Sequence, residues 1–116
     1  MDSAAFATAW EQGWNSHDLD VIMRHYRDDI QFRSQKAIPL TGSGMVNGKQ
    51  TLRSYWAAAL ERQPDLRFSV QDVFEGHEML VISYLNHRNV LATETLYFDA
   101  DGLVFQAAAC HRPVQS

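Results

Sequence analysis

The residue of this sequence best placed for acid–base chemistry is Glu94, in the next-to-last predicted strand. If residues 99–102 form a four-residue loop, the last two strands pair so that one sheet face is apolar except for Glu94. The predicted pairs are Phe98 with Leu103, Leu96 with Phe105, Glu94 with Ala107 and Ala92 with Ala109. Because only an alanine lies opposite Glu94, the pattern predicts free space above its carboxyl group.

A carboxyl group in such a space has a raised pKa, because the loss of water disfavours its charged form. A group that titrates near neutral pH can donate or accept a proton in catalysis. Two other interpretations stay open. A register error of one residue would make Glu94 an ordinary surface acid, and a buried carboxylate could instead pair with Arg33 or Arg53.

Three further polar side chains are candidates for the same cavity. His111 shares the sheet face of Glu94 but is predicted to lie roughly 13 Å further along, at about 3.3 Å per residue. Unless a bulge or a strong curl of the sheet intervenes, the two side chains would then line one cavity without touching. Tyr84 and Asn86 share the parity of the apolar positions in their strand, which favours an inward position, although the opposite parity fits nearly as well.

The elements that must position these residues follow from hydrophobic periodicity. Helices are predicted over Ser3–Asn15, from an N-cap at Asp18 to Tyr26, and over Lys49–Gln63. Strands are predicted over residues 29–33, 66–75, 79–88, 89–98 and 103–112. The long connection Ser34–Gly48 is interpreted as a mobile flap. Three helices and a strand meander predict one α+β domain over residues 1–116, with the helices on one face of a curved sheet.

Aromatic residues make up 11% of the chain. Six of them fall on faces that the pattern predicts to face inward: Trp10, Trp14, Tyr26, Phe32, Tyr55 and Trp56. Together with Tyr84 and Asn86, these six are the candidate substrate-binding residues. Phe68 and Phe105 are predicted to face inward as well. Inward-facing aromatic residues more often form a solid core, but the total volume of these rings exceeds what the small helices require. We therefore interpret it as the wall of a hollow core that receives an apolar ligand.

Composition and motifs exclude several function classes. The ten Lys and Arg are scattered and the formal charge is −4, so nucleic acid is not an expected partner. Neither a signal peptide nor a membrane span is predicted, which favours a cytoplasmic protein. Cys110 is the single cysteine and cannot close a disulfide within the chain. The histidines lack metal-ligand spacing and no cofactor motif is present, so neither a metal nor a cofactor is expected.

Several loose motifs, taken in their order and spacing, resemble a known family. They are residues 14–20 (WNSHDLD), residues 26–30 (YRDDI), Gly48 with Leu52, Tyr55 and Trp56, and Glu94 followed by residues 98–102 (FDADG). Over nearly the whole chain they resemble the SnoaL-like branch of the nuclear transport factor 2-like (NTF2-like), or ketosteroid isomerase-like, superfamily. The resemblance implies a cone-shaped, cystatin-like fold around an apolar pocket. It also implies a homodimer formed through the outer sheet face.

The resemblance indicates which catalytic groups of that superfamily are present. In the steroid isomerase pattern, Ser34 falls at the position of the proton-abstracting aspartate and Trp10 at that of the oxyanion-hole tyrosine. Glu94 falls at the position of the remaining oxyanion-hole acid. Two of three catalytic groups are thus replaced, so steroid isomerisation by that mechanism is not expected.

The leading hypothesis is a small SnoaL-like enzyme for isomerisation, aldol cyclisation or dehydration of an apolar, oxygenated small molecule. Glu94 would act as general acid or base, with His111 or Tyr84 orienting the substrate carbonyl. Two alternatives stay open. One is a non-catalytic pocket that binds or carries a small apolar ligand, and the other is a dimeric interaction module whose pocket is vestigial.

Overall fold

The first half of the chain contains all the described helices and two strands, and four consecutive strands follow in the second half. The computed structural model describes residues 1–113, so the last three residues of the predicted domain lie outside the described residues. The helices are α1 (Ser3–Ser16), α2 (Leu19–Met23), α3 (Ile38–Thr41) and α4 (Lys49–Arg62), with a 3₁₀ turn over Gln35–Ala37. The strands are β1 (Tyr26–Arg33), β2 (Met45–Asn47), β3 (Ser69–Gly76), β4 (Met79–Leu85), β5 (Leu91–Phe98) and β6 (Val104–His111).

The six strands form one curved sheet in the order β2-β1-β6-β5-β4-β3. β1 and β6 are parallel neighbours, and the other neighbouring pairs are antiparallel. Residues of β4 and β5 alternate between buried and half-buried, because successive side chains point to opposite faces. The buried face and the helices α1, α2 and α4 form the core. The predicted α+β fold, with helices on one face of a curved sheet, is confirmed.

The second helix is shorter than predicted. Asp18 caps it as expected, because its Oδ1 atom accepts a hydrogen bond from the Asp20 amide at 3.0 Å. The helix ends at Met23 instead of continuing to Tyr26. Tyr26 begins β1 and pairs with Val104 of β6, so pairing with a distant strand overrides the local helical pattern.

The β5–β6 hairpin differs from its predicted register by two residues. Glu94 pairs with Ala109 instead of Ala107. The difference comes from a longer loop and from a bulge beside Tyr97 and Phe98, where β6 contains one extra residue. Because side chains alternate with a period of two, a shift of two residues leaves Glu94 on its predicted face.

Asp99 shapes the loop of this hairpin. Its Oδ1 atom accepts hydrogen bonds from the amides of Asp101 and Leu103, both at 2.9 Å, which extends the loop beyond residues 99–102. The bulge then displaces Phe105, so its predicted inward position is wrong. Phe105 is half-buried, and the guanidinium carbon of Arg27 lies 5.1 Å from the centre of its ring.

The segment Ser34–Gly48, interpreted as a flap, contains regular structure. Its 3₁₀ turn and α3 are followed by β2, which pairs with β1. The Ser34 amide donates to the Gly44 carbonyl at 2.9 Å, and the Gly48 amide donates to the Ile30 carbonyl at 2.8 Å. The segment is therefore hydrogen-bonded at both ends, and its mobility stays a prediction.

The described helices are short compared with a membrane span. α1 and α4 have 14 residues each, whereas a span needs about 20 apolar residues. Within residues 1–113, no helix is long and apolar enough to cross a membrane. The cytoplasmic location and the single-domain organisation stay predictions.

Side chains of α1 cover part of the sheet edge that β3 forms. Asn15 Nδ2 donates to the Phe68 carbonyl at 2.9 Å, and Asn15 Oδ1 accepts from the Phe68 amide at 2.7 Å. One turn earlier, Glu11 Oε2 accepts from the Val70 amide at 2.6 Å. Free edge groups invite pairing with another chain. These contacts therefore protect the edge and fix α1 against the sheet.

We expect Asn15→Ala to lower the free energy of unfolding by about 2 kcal/mol, because two part-buried backbone groups lose their partners. Asn15→Asp keeps the acceptor for the Phe68 amide but loses the donor to its carbonyl, so its effect should be intermediate. Chemical denaturation followed by circular dichroism measures both. Gln12→Ala, at an exposed position of α1, is the control. Wild-type stability of Asn15→Ala would show that these bonds do not hold α1 in place.

Candidate active site

A cavity of about 80 Å³ lies between the inner sheet face and α4. Six aromatic residues line it: Trp14, Phe32, Tyr55, Trp56, Phe68 and Tyr84. Further polar residues also line it: Ser34, Lys36, Asn86, His87, Glu94 and His111. For comparison, an engineered apolar cavity of about 150 Å³ binds benzene. In this conformation the cavity therefore has room for only a few non-hydrogen atoms.

Glu94 brings a carboxyl group to this cavity from β5. The residue is 3% exposed, and its Oε1 atom has no hydrogen-bond partner among the described residues. Burial raises the pKa of the Glu94 carboxyl group from 4.5 to about 8. At neutral pH the group is therefore mainly protonated and can donate a hydrogen bond or a proton.

The two other interpretations of Glu94 do not fit the structure. Glu94 is not a surface residue, and in the described part of the chain no arginine forms a salt bridge with it. Arg53 pairs with Asp20 at 2.7 Å, and the Arg33 guanidinium lies beside Met45. No nearby cation therefore opposes the effect of burial on the Glu94 pKa.

Burial and the negative charge of ionised Glu94 raise the pKa values of three tyrosines. Burial, followed by that charge, raises the pKa values of Tyr26 and Tyr84 well above the usual 10. Burial also raises the pKa of Tyr55, against a smaller lowering by the Ser34 hydroxyl group. The three phenols keep their protons at neutral pH and can act as hydrogen-bond donors. The surroundings of Glu94 are thus aromatic rings and neutral hydroxyl groups.

His111 lies closer to Glu94 than the sequence predicted. In the observed register, His111 pairs with Ala92, and Glu94 pairs with Ala109. These two pairs are neighbours on the same sheet face. Such diagonal neighbours are about 7–8 Å apart. The predicted separation of roughly 13 Å is therefore wrong, because the register shift of two residues moves His111 closer to Glu94. Burial, followed by the charge of Lys36, lowers the pKa of His111 from 6.5 to about 4. Its imidazole is therefore neutral at pH 7.

The predicted substrate-binding residues divide into two groups. Six line the cavity: Trp14, Phe32, Tyr55, Trp56, Tyr84 and Asn86. Trp10 and Tyr26 lie in the core behind the wall instead, at 2% and 1% exposure. Trp10 stacks on Phe68, and Tyr26 packs edge-on against Trp56, with ring centres 5.5 and 5.1 Å apart. Much of the aromatic excess therefore fills the core, and the hollow is small.

Sequence reasoning missed several residues that line the cavity, and two of them, Lys36 and His87, carry nitrogen-bearing side chains. His87 lies in the β4–β5 connection, where Asn86 Oδ1 accepts hydrogen bonds from the Arg88 and Val90 amides at 2.9 and 3.0 Å. An asparagine that follows a strand is a signal for such a turn. Lys36 has no local signal, because the parallel pairing of β1 with β6 brings it there.

The cavity brings together one neutral carboxyl group, neutral phenols and a neutral imidazole. Such a set can hydrogen-bond a carbonyl oxygen and move a proton to or from a bound molecule. Across residues 1–113, no group of three or more His, Cys, Asp or Glu side chains is arranged to hold a metal ion.

Several solved structures with low sequence identity to this chain share its fold. TerC, co-crystallised with polyporic acid, is 13% identical, with a TM-score of 0.77 over 95% of this chain and 91% of that chain. A candidate polyketide cyclase from Sinorhizobium meliloti is 11% identical, with a TM-score of 0.76 over 91% and 94% of the two chains. Two further structures are described as cystatin-fold and NTF2-like proteins, which confirms the predicted fold type.

One relative is more similar in sequence. A SnoaL-like protein of unknown function from Burkholderia thailandensis is 33% identical, with a TM-score of 0.90 over 96% of this chain and 95% of that chain. No curated protein matches the chain significantly. The family model described as the SnoaL-like domain matches residues 7–112, most of the chain. The chain therefore belongs to the SnoaL-like domain family.

Proposed function

We propose that the protein is an enzyme that transfers protons beside a carbonyl group of a small apolar molecule. The reaction is an isomerisation, an aldol cyclisation or a dehydration, because in each a proton leaves or joins a carbon next to a carbonyl group. Glu94 carries the proposal, since burial raises its pKa to about 8 and it lines the cavity. A catalytic acid or base works best when its pKa lies near the operating pH.

Each group has a role that its protonation state allows. Glu94, protonated at neutral pH, donates to the carbonyl oxygen as negative charge develops there. The ionised form can take up a proton in turn, so the residue serves as general acid or base. His111 is neutral and offers a ring N–H, and Tyr84 keeps its hydroxyl proton, so either can orient the carbonyl group.

The relatives support this substrate class only broadly. TerC was co-crystallised with polyporic acid, and the Sinorhizobium meliloti chain is a candidate polyketide cyclase. Both names associate this fold with oxygenated organic molecules. Because the two chains are only 13% and 11% identical to this one, they support a ligand type and not a particular reaction.

Non-catalytic binding is the second candidate function. The low pKa of His111, about 4, makes its imidazole a weak base at neutral pH. Glu94 would then have to serve both as acid and as base, whereas a binding pocket needs only its hydrogen bond. Whether the protein catalyses or only binds, the cavity holds only a few non-hydrogen atoms. A larger ligand fits only if the cavity wall moves or if part of the ligand extends past Lys36 into solvent.

We also propose a homodimer through the outer sheet face. Along β4, β5 and β6, this face carries uncharged and mostly half-buried side chains: Val81, Ser83, Thr93, Thr95, Tyr97 and Ala108. The centre of a protein interface is typically poor in charge. A twofold axis would therefore bring two copies of this face together without like-charge repulsion.

Hydrogen exchange tests the catalytic proposal without knowledge of the natural substrate. In D₂O, the wild-type protein is expected to accelerate deuterium incorporation beside the carbonyl group of at least one compound in a panel of small ketones, measured by NMR. Glu94→Gln should slow this exchange by about 100-fold or more, because positioned proton transfer contributes at least that factor. The substitution preserves shape while removing the acid.

The matched control for this experiment is Glu61→Gln, at an exposed position of α4. It makes the same substitution away from the cavity and should leave the exchange rate unchanged. Ketone binding with equal exchange rates in wild type and Glu94→Gln would contradict catalysis by Glu94. That outcome would favour the binding role.

The raised pKa of Glu94 also predicts how stability depends on pH. The carboxyl group titrates near 4.5 without burial and near 8 in the folded protein. Between these values the folded protein holds a proton that the unfolded chain has lost, so the free energy of unfolding falls as pH rises. We expect Glu94→Gln to exceed the wild type by a few kcal/mol at about pH 8.5 and to match it near pH 4.

Chemical denaturation of wild type, Glu94→Gln and Glu61→Gln at both pH values measures this effect. Only Glu94→Gln should gain stability over the wild type as pH rises. A difference that is the same at both pH values would show that Glu94 does not titrate in a buried, protonated state.

Thr95 lies in the middle of the outer sheet face, between Val81 and Ala108. Thr95→Glu would place two carboxylates close together in the dimer, so we expect it to yield monomers in sedimentation velocity experiments. Gln50→Glu adds the same charge at an exposed position of α4 and should leave the dimer intact. A monomeric wild-type protein would contradict the proposed homodimer.

A further inference from the structure

Nitrogen-bearing side chains gather where the cavity reaches the protein surface. This end, termed the mouth, comprises Lys36, Asn86, His87 and His111, which line the cavity, and Arg88, which follows in the same turn. The charged groups of Lys36 and Arg88 belong to exposed residues, whereas Glu94 lies deeper, at 3% exposure. The cavity therefore has a polar, basic entrance and an acidic interior.

The sheet topology brings the mouth residues together. β1 and β6 run in parallel, and β1 ends opposite Ala108, three residues before β6 ends at His111, so the chain that leaves β1 carries Lys36 toward the end of β6. The β4–β5 connection, which holds His87, is at the same end, because His111 pairs with Ala92 near the start of β5. Three separate parts of the chain thus supply the mouth.

The mouth places like charges near one another. Burial, followed by the charge of Arg88, lowers the pKa of Lys36, and Lys36 in turn helps to lower that of His111. Neither Lys36 nor Arg88 forms a salt bridge within the part of the chain that the structure describes. Asp65, the acid beside His87, is largely exposed. An anion bound between these groups would relieve their repulsion.

His87 provides an independent observation. Its side chain is 8% exposed, and neither ring nitrogen has a hydrogen-bond partner among residues 1–113. Asp65 Oδ1 lies 3.6 Å from Nε2, which is too far for a hydrogen bond. Buried polar atoms are nearly always hydrogen-bonded in native proteins. His87 lines the cavity, and a turn of its ring toward the cavity would let one of these nitrogens pair with a ligand oxygen.

We infer that the mouth binds a carboxylate of the ligand, so that the substrate is a small organic acid whose carbonyl end enters the cavity toward Glu94. The Lys36 ammonium group and the ring N–H groups of His87 and His111 donate to the carboxylate oxygens, which leaves the Tyr84 hydroxyl group to orient the carbonyl. The inference rests on the proposed function, which places the ligand carbonyl at Glu94. A protonated Glu94 does not repel the bound anion.

The spacing of the two ends limits the length of this acid. Glu94 and His111 are diagonal neighbours across the β5–β6 pair, at about 7–8 Å, so their side chains approach a ligand from adjacent positions. A 4-oxo acid has two methylene groups between its carbonyl and carboxylate groups, which suits neighbouring but non-contacting side chains. Its small size also suits a cavity of about 80 Å³ that continues into a mouth.

The acid 4-oxopentanoate and its neutral methyl ester are matched probes for the mouth. Titrations followed by amide NMR at neutral pH and low salt give both affinities for wild type, Lys36→Gln and Lys49→Gln. We expect the wild type to bind the acid at least about tenfold more tightly than the ester, the effect of one charge-assisted hydrogen bond. Lys36→Gln should remove most of this preference, whereas Lys49→Gln removes an equal charge outside the cavity and should keep it.

A second readout in the same samples is the imidazole of His111. Its pKa, which burial and Lys36 lower to about 4, should rise when 4-oxopentanoate is bound, and ¹⁵N shifts of the ring measure this rise. The methyl ester should leave it unchanged. A general effect of the substitutions on folding would not produce this difference between the two probes.

The outcomes separate this inference from the proposed function. Equal affinity for acid and ester, an undiminished preference in Lys36→Gln, or binding of neither probe overturns the mouth inference. The first two results leave catalysis at Glu94 intact. A preference for the acid that depends on Lys36, without deuterium exchange beside the ketone, supports the mouth and counts against the proposed catalysis.

Discussion

The burial of one carboxyl group away from any cation is the constraint on which the rest of the site depends. Glu94 lies on β5, between β4 and β6, on the inner face, where most buried side chains are apolar. Burial is the cause of its raised pKa, so the neutral form is the favoured one at pH 7. A leucine at this position would impose no such dependence on pH. The acid therefore costs stability under alkaline conditions, which is typical of residues that serve function.

Aromatic rings provide the surroundings that this constraint requires. The ring centre of Trp56 lies 4.8 Å from that of Trp14 and 5.3 Å from that of Phe32, in edge-to-face contacts. Such rings are large and have few rotatable bonds, so they enclose a small space at low cost in conformational entropy. The tyrosine hydroxyl groups add hydrogen-bonding capacity without charge. The cavity can thus bind an oxygen atom while Glu94 stays protonated.

The parts of the site that depend on local alternation could be predicted from the sequence, and the parts that depend on distant pairing could not. Glu94 faces inward because strand side chains alternate, and a register error of two residues does not change its face. The position of His111 depends on the loop at Asp99, whose side chain binds two amides and lengthens the loop. Lys36 reaches the cavity through the pairing of β1 with β6, which has no signature in the local sequence.

Glu94 keeps its raised pKa only if the cationic groups of the mouth stay out of contact with its carboxyl group. A unit charge about 4 Å from Glu94, at an effective dielectric constant of about 20, would stabilise its carboxylate by about 4 kcal/mol, or roughly three pKa units. A lysine in contact with Glu94 would therefore cancel most of the effect of burial. Lys36 instead lowers the pKa of His111, while the pKa of Glu94 reflects burial. His111, which lies next to Glu94 on the same sheet face, is neutral and so adds no charge beside it. One small cavity can then hold a proton donor at one end and a positive charge at the other.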